Sequence, residues 1–479
     1  MRKIAFWLSL IMIFTIPWEN LITVESLGTV SRAMGYLVAV FWAITVVVTG
    51  RFRALRSFHG MVYVFIIWTV ASVFWSVNVD KTIARFLTGL QLAVLVLMLW
   101  DLYITPAMLK AGLQAYVLGG FVSVVSTIAN YFSGITFYSH RYGASGFNVN
   151  DLAIILALGI PVAWYLAVSE TRSNIRRVLR LVNYAYIPAA VVAILLTASR
   201  AALLSTFPAF LFMLSMLARL KLYVRVLIVM ALVSSLFAVL PLVPQASFAR
   251  IGATGTEVTE GDLNGRLEIW QDGVTSFEEH PVIGIGSGAF ADITDTGKVG
   301  HNFVLSLVVE LGIIGLALFL SILVIVFQHA RRQPKQWFRL WLTVLVIWLL
   351  GAASHNLEFR KQTWLFLSLI VVSEGIYNRR NESRVPPAIR LGGAAMAGGS
   401  QSAASISRAA GGISSTGLAQ SRSIQTTQRA DRPADRGARR DGSPPQRLGS
   451  QRTVLNRAPS DAHANAPVRP RRTSIGKRP

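Results

Sequence analysis

The chain contains no cysteine. Disulfides, thiolate metal sites and cysteine nucleophiles are therefore excluded, and dithiol redox chemistry has no foothold. Charge is scarce too, since Asp, Glu, Lys and Arg make up only 14% of 479 residues, against about 25% in an ordinary soluble domain. The seven histidines form no His-x-x-x-His or His-Glu-x-x-His pair, so the ligand spacing of a zinc or iron site is missing and no metal or cofactor is expected. No small-x-small cleavage site follows the apolar run after Arg2-Lys3, which reads as an uncleaved first span rather than a secretory signal. What remains is hydrocarbon: 53% of residues are hydrophobic and the mean hydropathy is +0.51, the composition of a polytopic membrane protein.

At about 20 apolar residues per crossing, the pattern predicts an all-α protein of about twelve transmembrane helices, over 4–17, 33–49, 60–76, 83–100, 112–130, 150–168, 181–197, 202–218, 223–243, 301–327, 337–353 and 363–377. Alternate connections hold 17 Lys and Arg in total, and the opposite ones hold 9 over a greater length. The basic side is the cytoplasmic one, so both termini are expected inside and the large loop 244–300, between the ninth and tenth helices, on the far side. In a bacterial inner membrane that side is the periplasm. Residues 1–377 thus form the multispan domain, and residues 378–479 are a different polymer, rich in Ser, Ala, Gly, Gln and Arg, with 19 Lys and Arg against 5 acids. A disordered cytoplasmic tail drawn to anionic membrane lipids is expected there. No interleaved aromatics support nucleic-acid binding.

The longest polar interval, running from Asn264 towards His301, is the expected working part. Leu267, Trp270, Val274 and Phe277 recur at helical spacing among acids and amides, which predicts an amphipathic surface helix with this apolar face. Asp262 or Asn264 can cap its start, Pro281 follows its end, and Arg266 falls in the first turn, where free N–H groups favour an anion. Gly284, Gly286 and Gly288 read as a hinge. Their spacing is not the Gly-x-Gly-x-x-Gly fingerprint of a dinucleotide site. His301-Asn302 then stands at the mouth of a long apolar helix.

Ionisable groups in or near lipid are expensive and so informative. Arg200, in Thr197-Ala198-Ser199-Arg200, joins two apolar runs at the far-side interface. Glu310 lies nine residues past His301, about 13 Å deeper and half a turn away on a straight helix, so it suits an internal arginine partner better than joint work with His301. Arg200, Arg266 and Arg141 would line a far-side vestibule with His301 nearby. Guanidinium groups at a lipid interface suit a lipid-linked diphosphate, because bidentate contacts hold it and stabilise its charge as it leaves.

Four stretches carry a resemblance: Phe74-Trp75-Ser76-Val77-Asn78; Arg141-Tyr142-Gly143 through Phe147-Asn148-Val149-Asn150-Asp151-Leu152-Ala153; Ser199-Arg200-Ala201-Ala202-Leu203; and Gly265-Arg266 through Trp270, His280-Pro281-Val282-Ile283-Gly284-Ile285-Gly286, His301-Asn302 and Glu310-Leu311-Gly312-Ile313-Ile314-Gly315. Together, over roughly residues 4–377, they resemble the O-antigen ligase and polymerase superfamily of bacterial polysaccharide assembly. The resemblance implies a glycosyltransferase using an undecaprenyl-diphosphate-linked glycan as donor, with an acceptor glycan or lipid A-core and other assembly proteins as partners. By the same resemblance Arg200 and Arg266 engage the donor diphosphate and His301 activates or positions the acceptor hydroxyl, with inversion at the anomeric carbon. The family's usual Asn-Pro-Asn reads Asn148-Val149-Asn150 here. No residue separates a ligase from an O-antigen or exopolysaccharide polymerase.

Two other classes compete. A polysaccharide or lipid-linked oligosaccharide transporter or flippase would share the layout of twelve spans, but it should show internal repeats and broken helices at the midplane. No convincing repeat is present, and the unusual residues gather at one face. A non-catalytic scaffold would tolerate loss of Arg200, Arg266 and His301.

Overall fold

The computed structural model describes residues 1–24, 28–137, 141–169, 174–218, 221–239, 241, 245–252 and 265–382. They form an almost wholly helical protein. In chain order the helices are α1 (Arg2–Thr15), α2 (Val30–Thr49), α3 (Ser57–Ala71), α4 (Val79–Leu102), α5 (Pro106–Phe132), α6 (Val149–Ser169), α7 (Asn174–Leu196), α8 (Arg200–Leu217), α9 (Leu222–Val239), α10 (Gln245–Gly252), α11 (Arg266–Glu279), α12 (Phe303–Arg331), α13 (Lys335–Ala352) and α14 (Lys361–Glu382). A minimal antiparallel pair, Thr23–Val24 with Gly28–Thr29, precedes α2.

Each of the twelve expected spans corresponds to a helix. Among the described residues, eight are long and apolar enough to cross a membrane: those at Val30–Thr49, Ser57–Trp75, Val79–Leu102, Pro106–Phe132, Val149–Ser169, Arg177–Leu196, Arg200–Leu217 and Phe303–Arg331. The chain is a multi-pass membrane protein. Among the described residues α1, at 14 residues, is too short, and α13 and α14 fall short in apolarity. The last helix also runs to Glu382, past the expected boundary at 377, and the remainder of the tail, 383–479, lies outside the described residues.

Burial follows the apolar pattern. Helix α6 is hydrophobic all round and buried along nearly its whole length, as a central helix should be. It packs against α5, α7, α8 and α13. Helices α3 and α4 pack on each other and on α12 and α14 respectively, joining the two halves of the chain. Outer helices leave large side chains uncovered, such as Val47 at 81% and Leu227 at 72% exposure, which suits a lipid-facing surface.

Helix α12 is not continuous. Gly312 interrupts it at φ 67°, ψ −172°, where an apolar run alone predicts an unbroken span. The segment around Pro281–Gly286 lies against the break and takes over its backbone groups. Ile285 and Gly286 N–H donate to the Val309 and Glu310 carbonyls (both 2.9 Å), and Ile313 N–H donates to the Pro281 carbonyl (2.9 Å). Broken backbone at membrane depth survives only when re-satisfied in this way. Trp68 Nε1 donates to the Leu311 carbonyl (3.0 Å), Trp75 Nε1 to the Ile283 carbonyl (3.2 Å) and Val77 N–H to the Ile285 carbonyl (2.9 Å). The glycine-rich segment is therefore not a hinge. It is clamped: a Cβ on Gly284 would stand 2.6 Å from the Glu310 carbonyl, and one on Gly286 2.2 Å from Ser76 Oγ.

Candidate functional site

Helix α11 is amphipathic, but its buried side is not the expected one. Leu267 and Val274 are exposed, whereas Ile269, Gly273 and Ser276 are buried. The reason is close approach: a Cβ on Gly273 would already touch Phe290 at 3.0 Å and Leu305 at 3.3 Å, so the small residue marks the contact line. Ile269 joins Ile285, Ala289, Phe290 and Val309 in a second, small core, with Trp270 and Phe277 packed beside it. Gly265, at φ 73°, precedes Arg266 with no side-chain cap bond, and Asp262 and Asn264 lie outside the described residues. Arg266 nevertheless occupies the first position of the helix, as expected.

Trp270 ties this helix to His301, since its Nε1 donates to the Gly300 carbonyl at 2.8 Å. Asn302 caps α12, its Oδ1 accepting from Val304 N–H (2.9 Å) and Leu305 N–H (3.2 Å). The span therefore begins at Phe303 and leaves His301 ahead of it. His301 has φ 47° and Ala198, just before Arg200, has φ 49°; among the described residues these are the two non-glycine positions with positive φ. Such strain persists only where surrounding contacts impose it, and it clusters at functional sites.

Arg266 lies within electrostatic reach of both Arg200 and His301. Burial lowers the Arg266 pKa, and the neighbouring Arg200 charge lowers it further. Burial also pushes His301 down to about 4, with Arg266 as the next cause and Asp151 opposing. Burial and the Arg266 charge thus both favour the uncharged imidazole of His301.

Arg141 is part of the same region but points into the protein. It is buried, its Nε donates to the Thr197 carbonyl (2.7 Å) and its second guanidinium nitrogen to Asn150 Oδ1 (2.5 Å). It braces the turn that carries Arg200 and fixes the start of α6 at the same time, which gives Asn148-Val149-Asn150 a role: Asn148 Oδ1 receives Asn150 N–H (2.9 Å) and Asn150 receives Arg141. Glu310 is separate from the cluster. Its carboxylate accepts from Gly288 N–H (2.7 Å) and lies 4.0 Å from Arg85. Arg85 also lies near Glu358, whose carboxyl is pushed up to about 7 by burial, Arg85 opposing and Glu310 adding to the rise.

Three neighbours were missed in sequence. His355 is buried; its Nδ1 lies 2.8 Å from Ser354 Oγ and, when protonated, donates to the Gly351 carbonyl (3.1 Å), while its Nε2 is buried without a partner. Burial lowers its pKa, Asp151 raises it, and His355 in turn lowers that of His301. Asp151 pairs with Arg360 at 2.7 Å. A signal existed: His355-Asn356, just past the apolar helix α13, repeats the dipeptide His301-Asn302.

Cations held together, one partly desolvated by burial, favour a bound anion. A neutral imidazole beside them can accept a proton. No curated protein matches the chain. Residues 185–320 match the family model described as O-antigen ligase, a role in O-antigen ligation or polymerisation that accords with this chemistry. Over the stretch that holds Arg200, Arg266, His301 and Glu310, the chain is thus similar to O-antigen ligase, consistent with the O-antigen ligase and polymerase superfamily.

Proposed function

We propose that the protein transfers a glycan from an undecaprenyl diphosphate carrier to an acceptor hydroxyl at the periplasmic face of the bacterial inner membrane. What supports this reading is that Arg266, at the first position of its helix, feels the charge of Arg200 from a distant part of the sequence, while His301, held at positive φ, feels that of Arg266. Arg200 and Arg266 hold the diphosphate, whose negative charge relieves their mutual repulsion. The acceptor oxygen attacks the anomeric carbon, the bond from that carbon to the diphosphate oxygen breaks, and the electron pair leaves with the diphosphate. The hydroxyl proton passes to His301. Bound diphosphate also offsets the Arg266 charge that depresses His301, so the base strengthens once the donor is in place. Arg141 positions Arg200, and Glu310 holds the Gly288 turn.

In this reading twelve helices cross the membrane, both termini are cytoplasmic and the loop 244–300 is periplasmic. The acceptor is a glycan or lipid A-core, which leaves ligase and polymerase as the two forms of one reaction.

The test is glycan analysis of a deletion strain complemented with wild type, Arg200→Ala, Arg266→Ala or His301→Ala, after membrane insertion of each has been verified. Each variant should lose polymer transfer. Long polymer retained on the carrier without lipid A-linked product identifies a ligase, and single repeat units without long chains identify a polymerase. Full restoration of every glycan by all three variants would refute the reading.

A further inference from the structure

A cavity of about 520 Å3 lies between α1, α2 and α4 and reaches the loop 356–361, within the usual size of ligand sites. None of its three walls carries Arg200 or Arg266. Helices α2 and α4 run parallel here, both starting at the end where the loop sits, and the lining changes along them. At the mouth stand Arg32, Arg85, Arg360 and Lys361, with Glu19 as the one acid. Deeper come Met12, Ile16, Ala39, Leu92, Leu95 and Met98. Arg85 to Met98 spans about 20 Å along α4 at 1.5 Å per residue, so the apolar part is long enough for a hydrocarbon chain.

The cations at the mouth are unequally satisfied. Lys361 is paired with Glu19 and also donates to Ser31 Oγ (2.7 Å) and Thr29 Oγ1 (3.1 Å). Arg360 pairs with Asp151, and Arg85 lies over the Phe359 ring at 4.7 Å with Glu310 behind it. Arg32 has no ion pair among the described residues, and its Nε is buried with no hydrogen-bond partner. One guanidinium is left over at the neck of a cavity whose depth is apolar. A buried donor without a partner is unfavourable, and an anionic head group there would satisfy it. Midway down, Gln91 Nε2 donates to Tyr36 Oη at 2.7 Å, so these two polar groups of the wall satisfy one another.

We propose that this cavity binds an anionic amphiphile, with a phosphate-bearing head group on Arg32 at the mouth, flanked by Arg85 and Arg360, and its hydrocarbon chain between α1, α2 and α4. Val299 and Asn356 line the same mouth, two residues from His301 and one from His355, so the head group sits at the edge of the catalytic cluster. That the ligand is the second substrate rests on the transferase reading; that it binds does not.

Binding of dioctanoyl phosphatidic acid, dioctanoylglycerol and inorganic phosphate to the detergent-purified full chain, measured by native mass spectrometry, tests this. Phosphatidic acid should bind at least about tenfold more tightly than either other probe, roughly 1.4 kcal/mol. Arg32→Gln should remove most of that preference, and Ala39→Phe, which fills the apolar depth, should weaken binding even if Arg32→Gln fails to fold. His301→Ala and Arg266→Ala should bind the lipid as wild type does while losing glycan transfer. Equal binding of dioctanoylglycerol, full competition by inorganic phosphate, or unchanged affinity in both cavity variants would overturn the proposal. Loss of lipid binding in Arg266→Ala would also overturn it, because the two sites would then be one.

Discussion

Replacing Trp270 with phenylalanine removes one hydrogen bond and little else. The ring stays in the small core under α11, but the Gly300 carbonyl loses its 2.8 Å donor. A hydrogen bond of this kind contributes about 0.5–1.5 kcal/mol net. His301, one residue on, is held at φ 47°, a strain of about 1–3 kcal/mol. The two magnitudes are comparable, so without the bond His301 can relax away from Arg266. Since 1.36 kcal/mol is a factor of ten in rate, the expected fall in transfer is about tenfold, with protein yield and membrane insertion unchanged. The assay is transfer from a lipid-diphosphate-linked glycan to acceptor by purified protein, initial rates being compared at saturating donor. A rate within about twofold of wild type would show that this bond does not set the geometry of His301.

Arg141→Lys should lower transfer by about tenfold or more, because a lysine cannot make both bonds of the planar fork to Thr197 and Asn150; transfer equal to wild type in the same assay would leave Arg141 without a positioning role. Gly312→Ala should not yield a folded protein, since its Cβ would stand 2.1 Å from the Val282 carbonyl oxygen in a backbone at φ 67°, and a monodisperse size-exclusion peak with wild-type thermal stability would contradict the clamp. Asn302→Ala should cost about 1 kcal/mol of stability through loss of the α12 cap, read as a lower melting temperature in detergent. His301 has a folded-state pKa depressed to about 4 by burial and by Arg266, against an ordinary value near 6.5. Its contribution to stability is therefore complete above pH 6.5 and is lost as pH falls towards 4, because the unfolded chain takes up the proton first. His301→Gln should flatten that part of the melting-temperature profile, and an unchanged slope would assign it to other groups.

Residues whose meaning is local were readable before the fold was known. Apolar runs mark the helices, and Arg266 and Asn302 sit at helix starts because capping and dipole effects act within one turn. Contacts across the fold were not readable. The run from Phe303 looks unbroken because Gly312 and Gly315 read alike in it though only Gly312 breaks the helix, and the groups that satisfy the break come from Pro281–Gly286. Hydrophobic scoring chose Leu267 and Val274 for the buried face of α11. It gives Gly273 no weight, although the absence of a side chain there is what permits closest approach. Arg141 was visible as an arginine, but its direction depends on Thr197 and Asn150, which the fold supplies. His355 was overlooked as a lone histidine near a helix end, and its relation to Asp151 and His301 is tertiary.

The clamp on α12 also bears on how the protein is made. Trp68 bonds Leu311 across 243 positions, and Ser72 Oγ accepts from Ser287 N–H across 215. The end of α3 emerges early from the ribosome, yet its partners are synthesised much later. Until residue 314 has entered the bilayer, the polar loop has no backbone to dock on, and α3 leaves an indole N–H without its acceptor in lipid. Assembly of this region is therefore a late event in biogenesis, closing contacts of very high sequence separation. Chains arrested before α12 should present unpaired polar groups to the membrane, where quality-control proteases can find them.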